Sequence, residues 1–312
     1  MKTVQDSPVA FAFPVVPVAV LVTAIWGFNF VVIAVGISGV PPLLLAALRF
    51  VLSAFPAVLF IKFPKVGVSY VAAYGLLLGV GQFGFLFTGM KLGAPAGLSS
   101  IVLQVQAFFT AILAALFAGE RLKPRNLAGM AVAFSGLALV ALSRASAAAG
   151  AAAIPLHALG LVVLAALMWA AANVVVKKAG PVDALALMVW SSVFSPLPLF
   201  ALSLAFEGPA AIAAALTGLS LRSVGAVAYL AFASTLLAYG LWNRLISQRG
   251  ATAVAPFSLL VPIFGTLSAS LFLGERFTLR DAAAGTLILG GLAIHAFGDR
   301  IAGAVRARTK RP

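Results

Sequence analysis

Two aromatic–amide pairs carry the most specific chemistry in this chain. Trp26 precedes Asn29 by three residues, and Trp169 precedes Asn173 by four. Both spacings put the two side chains on one helical face. An indole offers a flat apolar surface, and a primary amide offers two donors and an acceptor. Such a pair holds and orients a small molecule with one apolar and one polar end; it breaks no bonds. Each pair sits near the middle of a long apolar run, where a polar group is expensive and calls for a reason. Helix–helix hydrogen bonding with core packing is the competing reason for both. Trp242, near the end of its own run, reads instead as an aromatic anchor at a membrane interface.

Other polar groups inside apolar runs extend the set. Gln82 lies about two-thirds along its run, and Gln104 and Gln106 lie near the middle of the next. Two positions on an α-helix differ by about 200°, so only one of these two glutamines is expected to face a shared cavity, the other bonding a neighbouring helix. Gln104 is carried as the binding candidate. Tyr74, Tyr229 and Tyr239 could line the same space or serve as core aromatics; Tyr239 joins the binding set. Arg49 is the cation placed deepest within a run. It could hold a carboxylate, but a structural role against backbone carbonyls is favoured. Glu120 beside Arg121 and Glu275 beside Arg276 close two apolar runs, and each pair reads as a structural latch or gate.

Absences narrow the function. The seven acids, Asp6, Glu120, Asp183, Glu207, Glu275, Asp281 and Asp299, all fall at run ends or in connections. His157 and His295 are also near run ends, and there is no Cys. Neither catalytic residues, nor a metal site, nor a cofactor is expected, and a buried carboxylate for proton or sodium coupling is not foreseen. No phosphate-binding G-x-x-x-x-G-K-[ST] sequence occurs, which argues against ATP drive within the chain. A membrane enzyme would want acids or histidines clustered at one interface. A non-transporting receptor or assembly subunit is the remaining alternative, separable by a flux assay.

The elements that must position these residues follow from composition. The 312 residues are 63% hydrophobic and only 9% charged, with a mean hydropathy of +1.14. A soluble domain carries roughly 25% charged residues, so this is an all-α integral membrane protein. The net charge of +14 lies in short connections, which argues against nucleic acid as a partner; lipid and a small-molecule substrate are expected instead. A span needs about 20 apolar residues. Ten candidates run at about 14–37, 41–61, 68–91, 94–118, 125–143, 155–179, 182–206, 222–247, 250–273 and 279–297. The first is too long for a signal-peptide core and reads as a retained span. Segment 144–154 divides the halves, and 207–221 reads as an amphipathic or irregular excursion. Gly75, Gly79, Gly81, Gly84 and Gly89 suit close helix packing, with Gly81 and Gly84 alternatively leaving room beside Gln82. Pro256 and Pro262 are expected to kink the ninth span.

The chain also repeats itself. Gly119-Glu120-Arg121 recurs as Gly274-Glu275-Arg276, an offset of 155 that also relates Tyr74 to Tyr229, Arg125 to Arg280 and Gly136 to Gly291. This predicts a five-helix unit at 14–143 and a second at 155–297. With a cytoplasmic N-terminus, 15 Lys and Arg fall inside and 5 (Lys91, Arg144, Arg222, Arg276, Arg280) fall outside. That bias predicts both termini in the cytoplasm. Five spans per unit then make the two repeats inverted, as in many secondary transporters.

The residues resemble the drug/metabolite transporter superfamily, and within it the EamA-type carriers. The matching pieces are Trp26-Gly27 with Asn29-Phe30, Leu48-Arg49-Phe50, Leu103-Gln104-Val105-Gln106, Gly119-Glu120-Arg121-Leu122, Val261-Pro262-Ile263-Phe264 and Gly274-Glu275-Arg276. The resemblance spans about residues 14–297. It implies a transporter of the inner membrane, not an enzyme, that exports amino acids or related metabolites by alternating access. Trp26 and Trp169 suit the aromatic amino-acid exporters of the YddG type. A broad drug or metabolite exporter is the alternative. Small multidrug members carry an acid in the first helix, and none lies between Pro14 and Ile37.

Overall fold

The computed structural model describes residues 15–145 and 155–309, all of the regular structure being helical. The predicted divider at 144–154 falls largely outside the described residues. Helix α1 is Val15–Gly39 and α2 is Pro42–Ala54, extended by a 3-10 turn at Ala57–Leu59. Then come α3 at Val68–Lys91, α4 at Ala96–Ala118, α5 at Pro124–Ala145 and α6 at Leu156–Ala179. The pair α7 (Ala184–Ser191) and α8 (Pro196–Phe206) is bent by 42°. Helix α9 is Pro209–Thr217, α10 is Leu221–Arg249, α11 is Pro256–Leu273 and α12 is Leu279–Thr309. Eight of these are long and apolar enough to cross a membrane, or nine if α7 and α8 form one span.

Local sequence explains most boundaries. Proline opens α2, α5, α8 and α9, where its missing N–H costs nothing. Gly119 and Gly274 end α4 and α11 in the left-handed region, at φ 68° and 67°, a conformation that glycine adopts without a Cβ clash. Asp183 caps α7 by accepting from Leu185 and Ala186 N–H at 2.8 and 2.9 Å. Thr278 and Asp281 form a reciprocal capping box at the start of α12, satisfying two N-terminal donors.

Three departures from regular helix bear on the site. The middle of α3, Gly75–Phe83, and the middle of α10, Tyr229–Leu237, are π-helical. Helix α4 is broken by a 3-10 turn at Leu103–Val105. Kinking in α11 is confined to a 3-10 stretch, Ala255–Leu259, around Pro256; Pro262 sits inside regular helix. The 207–221 segment contains a two-turn helix, α9.

The outer surface is apolar. Leu116, Phe117, Leu197, Phe206, Leu271 and Phe272 are each more than 60% exposed, as lipid-facing side chains must be. Inside, glycines let helices touch. A Cβ on Gly27 would lie 2.4 Å from Phe264 Cβ, so α1 packs directly on α11. Gly75 and Gly79 of α3 rest on Ser191 and Ser195 of the bend between α7 and α8. Helices α5 and α12 meet at Gly129 against Gly291 and at Gly136 against Ala284. Gly81 and Gly84 also follow the packing reading. Met168 fills the space beside the first, and Leu43 and Leu199 that beside the second.

Candidate functional site

A cavity of about 300 Å³ lies between the helices, bounded by α1, α2, α3, α4, α6, α10 and α11. All seven residues read from the sequence as binding candidates line it: Trp26, Asn29, Gln82, Gln104, Trp169, Asn173 and Tyr239. So do Tyr74 and Arg49.

One wall is aromatic. The Trp26 ring lies 5.2 Å from both Tyr239 and Trp242, edge-on to the former and tilted against the latter. Its indole N–H donates to Ser234 O at 3.0 Å. That carbonyl belongs to the π-helical stretch of α10, where the i→i+5 pattern leaves backbone groups available to partners. Trp242, read from the sequence as an interface anchor, lines the cavity. Tyr229 does not line the cavity; its hydroxyl donates to Ile25 O at 2.8 Å and its ring packs on Phe28.

The opposite wall carries amides. Asn173 of α6 donates to Gln106 Oε1 at 3.0 Å and Thr110 Oγ1 at 3.2 Å, so it serves α4–α6 packing as well as the cavity. Gln104 and Gln106 both line the cavity, contrary to the helical-wheel expectation, although Gln106 also bonds the neighbouring helix through Asn173, as expected of one of the two. The 3-10 turn at Leu103–Val105 has about three residues per turn, which brings alternate side chains closer in direction than an α-helix does. Across from them, Asn29 Oδ1 is buried with no hydrogen-bond partner.

Arg49 is 2% exposed. Its Nε and Nη2 donate to Thr235 Oγ1 at 3.3 and 3.0 Å, and its guanidinium lies 3.8 Å from the Phe83 ring centroid. Nη1 has no partner. The backbone carbonyls expected for a structural role are not among its acceptors. Thr235, which the sequence reading passed over, is aimed by its hydroxyl's 2.8 Å bond to Leu230 O, five residues back. The polar dipeptide Ser234-Thr235 within an apolar run was the available signal. No acid lines the cavity among the described residues, and among them no cluster of three His, Cys, Asp or Glu could hold a metal.

The expected Glu–Arg latches form differently. Glu275 accepts from the backbone N–H of Ala96 at 2.7 Å and of Gly97 at 3.0 Å, capping α4. Glu120 pairs with Lys177 at the surface. Arg121 and Arg276 are both exposed. An unforeseen cap resembles that of Glu275: Glu207 accepts from Leu43 and Leu44 N–H at 2.7 and 3.2 Å at the start of α2, with Ser203 donating to it at 2.5 Å. Adjacent Glu and Arg side chains diverge at a helix end, and the orphan N–H groups of a neighbouring helix are the stronger partner for a shielded carboxylate.

Span-length apolar helices around a polar, aromatic pocket are the architecture of a multi-pass membrane protein. The model of the EamA-like transporter family matches residues 14–142 and again 156–297. The chain belongs to that family, within the drug/metabolite transporter superfamily. It is 43% identical over 287 residues to a protein of Salmonella typhimurium (strain LT2) named "Probable amino-acid metabolite efflux pump", covering 91% of this chain and 95% of that protein. A protein of the same name from Escherichia coli (strain K12) is 40% identical over 292 residues, covering 92% and 96%. A crystal structure with 18% identity aligns over 90% of this chain and 96% of its own, with a TM-score of 0.57; that likeness concerns the fold alone.

Proposed function

We propose that this protein exports amino acids, aromatic ones among them, and related small metabolites across the inner membrane. The observation that carries the reading is the cavity within the helix bundle whose walls combine Trp26, Trp169, Trp242 and Tyr239 with amides, in a chain similar to two proteins named as amino-acid metabolite efflux pumps. Trp26 and Trp169 enclose the substrate side chain. Asn29, Gln82, Gln104, Asn173 and Tyr239 bond its polar end.

Ten spans in two inverted five-helix repeats, 14–143 and 155–297, with both termini cytoplasmic, provide the alternating access. Several contacts support this. The π-helical stretches of α3 and α10 begin 154 positions apart. By the 155-residue offset, Gly129 corresponds to Ala284 and Gly136 to Gly291. The contacts Gly129–Gly291 and Gly136–Ala284 thus exchange under a pseudo-two-fold axis, the mark of an isologous interface. Substrate at the interface between the repeats is then exposed by rocking one half against the other, with coupling not routed through a buried carboxylate.

Counterflow of labelled phenylalanine into proteoliposomes, with no ion gradient, tests the reading. Accumulation driven by trapped unlabelled phenylalanine is the expected result; none, with folded protein confirmed, removes this substrate. Equal counterflow of unrelated apolar compounds would favour the broader drug or metabolite exporter. In the same assay Trp26→Ala is expected to weaken aromatic substrates roughly ten-fold more than small ones, the loss of a stacking surface. Equal loss for all would assign Trp26 to packing.

A further inference from the structure

We infer that Arg49 is the carboxylate anchor of the cavity and Asn29 the acceptor for the substrate's ammonium group, so that a free α-carboxylate is a requirement for transport. The inference rests on the amino-acid reading above and gives it a chemical criterion.

Charge balance is the first argument. A buried cation is tolerated when it is paired and hydrogen-bonded. Arg49 is buried within the helix bundle, yet among the described residues its only hydrogen-bond partner is the neutral hydroxyl of Thr235. The Phe83 face at 3.8 Å offers a cation–π contact, which stabilises the guanidinium without neutralising it. No acid lines the cavity among the described residues. The missing negative charge can therefore come from what the cavity binds.

Geometry is the second. A guanidinium carries five N–H donors. Thr235 occupies the one on Nε and one on Nη2. One N–H of Nη1 and the second N–H of Nη2 remain on the end edge, which can receive a carboxylate through two parallel bonds; the other Nη1 N–H points to the Cδ side. Phe83 under the ring and Thr235 at its Nε side hold that edge in place, so binding does not have to order a floppy side chain.

The third argument is the complementary orphan. Asn29 Oδ1 is a buried acceptor with no donor, and Asn29 is 94% buried by its 6% exposure. An ammonium group has three donors and no acceptor, which suits it. Arg49 and Asn29 both line the cavity, and each keeps one buried polar atom without a partner, a donor on Arg49 and an acceptor on Asn29; turned toward the cavity by a side-chain rotation, they match the two ends of an α-amino acid backbone. The aromatic wall of Trp26 and Trp242 is left for the side chain.

The test compares L-phenylalanine with L-phenylalaninamide, which keeps the ring and the ammonium and lacks the carboxylate. In counterflow by the wild-type protein, the amide is expected to compete at least ten-fold less well than phenylalanine. Arg49→Gln is expected to abolish that preference, and Arg49→Lys to restore part of it. Equal competition by acid and amide in the wild type overturns the inference while leaving amino-acid export intact. Should Arg49→Gln not fold, the wild-type comparison decides alone. Should phenylalanine not be transported at all, the export reading fails and the anchor is still tested. Quenching of the intrinsic tryptophan fluorescence by phenylacetate against phenylacetamide then reports binding directly, with at least ten-fold tighter binding of the acid expected and equal binding overturning the assignment.

Discussion

The two Gly-Glu-Arg endings share a sequence and a backbone, and differ in what their glutamates do. Gly119 closes α4 at φ 68°, ψ 19° and Gly274 closes α11 at φ 67°, ψ 20°. The N–H of Glu120 returns to Ala114 O, and that of Glu275 to Ala269 O, both at 3.3 Å. Up to this point the second ending copies the first. Beyond it, Glu275 reaches across to cap α4, while Glu120 stays at the surface with Lys177, each about half exposed. By the 155-residue offset, the partners of Glu275, Ala96 and Gly97, correspond to Ala251 and Thr252. Local sequence thus sets how each helix stops, whereas the contact made afterwards depends on which neighbouring helix end lies within reach. On the proposed orientation, the end joined by Glu275 is external and the end at Glu120 is cytoplasmic. A carrier closed outside and parted inside would distribute its two glutamates in this way.

The largest expected effects lie at the glycine contacts between α5 and α12. A Cβ at Gly291 would stand 2.4 Å from Gly129 O, and one at Gly136 would stand 2.8 Å from Ala284 O. Neither neighbour can yield, since both are backbone. Gly291→Leu and Gly136→Leu should each cost about 3 kcal/mol, the upper end of what overpacking usually costs. Thermal unfolding followed by size exclusion in detergent should show similar drops for the two. A large drop for one and none for the other would break the equivalence of these contacts.

The asymmetric ends should behave differently. Glu275→Ala leaves two N–H groups of α4 without their acceptor, and Glu207→Ala does the same at α2. Each is expected to destabilise by about 1–3 kcal/mol, as lost caps and unsatisfied donors do. A change in access should accompany it. The chain has no cysteine, so Ser100→Cys can be added alone, at a site that is fully buried. In the Glu275→Ala background, this position should react several-fold faster with an impermeant maleimide added from outside. Unchanged reactivity would mean that Glu275 contributes stability and does not hold that end closed.

The residues that line the cavity were legible because polar groups in apolar runs have few other reasons to exist. Trp26, Asn29, Gln82, Trp169 and Asn173 were found that way, and Thr235 could have been. Most helix extents were also legible, since apolar length and Pro or Gly punctuation set them; the exceptions are the run expected at 182–206, which is two helices bent by 42°, and the one expected to end near 297, which continues as helix to Thr309. The π-helical stretches were not, because propensities distinguish helix from strand and not one helical hydrogen-bond pattern from another. Their effect was large: they give Trp26 its acceptor and aim Thr235 at Arg49. The 3-10 turn in α4 overturned half of the two-glutamine argument for the same reason: both line the cavity, while Gln106 does bond the neighbouring helix as expected of one of them. The roles of Glu207 and Glu275 were hidden because their partners are backbone N–H groups more than 160 positions away, and backbone donors leave no mark in side-chain identity.

The smallest expected effect is at Glu120, and it is the most exacting test of the comparison. An exposed Lys–Glu pair contributes little, since water and salt screen it and two long side chains must be held. Glu120→Ala and Lys177→Ala should each change stability by less than about 0.5 kcal/mol, and their double-mutant coupling should be of the same order. Arg121→Ala and Arg276→Ala, both at exposed positions, should be as mild in folding. The informative outcome is the contrast in the presence of substrate. If bound substrate draws the cytoplasmic end together, Glu120 gains buried donors and Glu120→Ala becomes more costly in the liganded protein than in the free one. Glu275→Ala should show no such increase. Equal penalties at the two glutamates, with and without substrate, would mean that both ends close alike and that their difference does not follow the transport cycle.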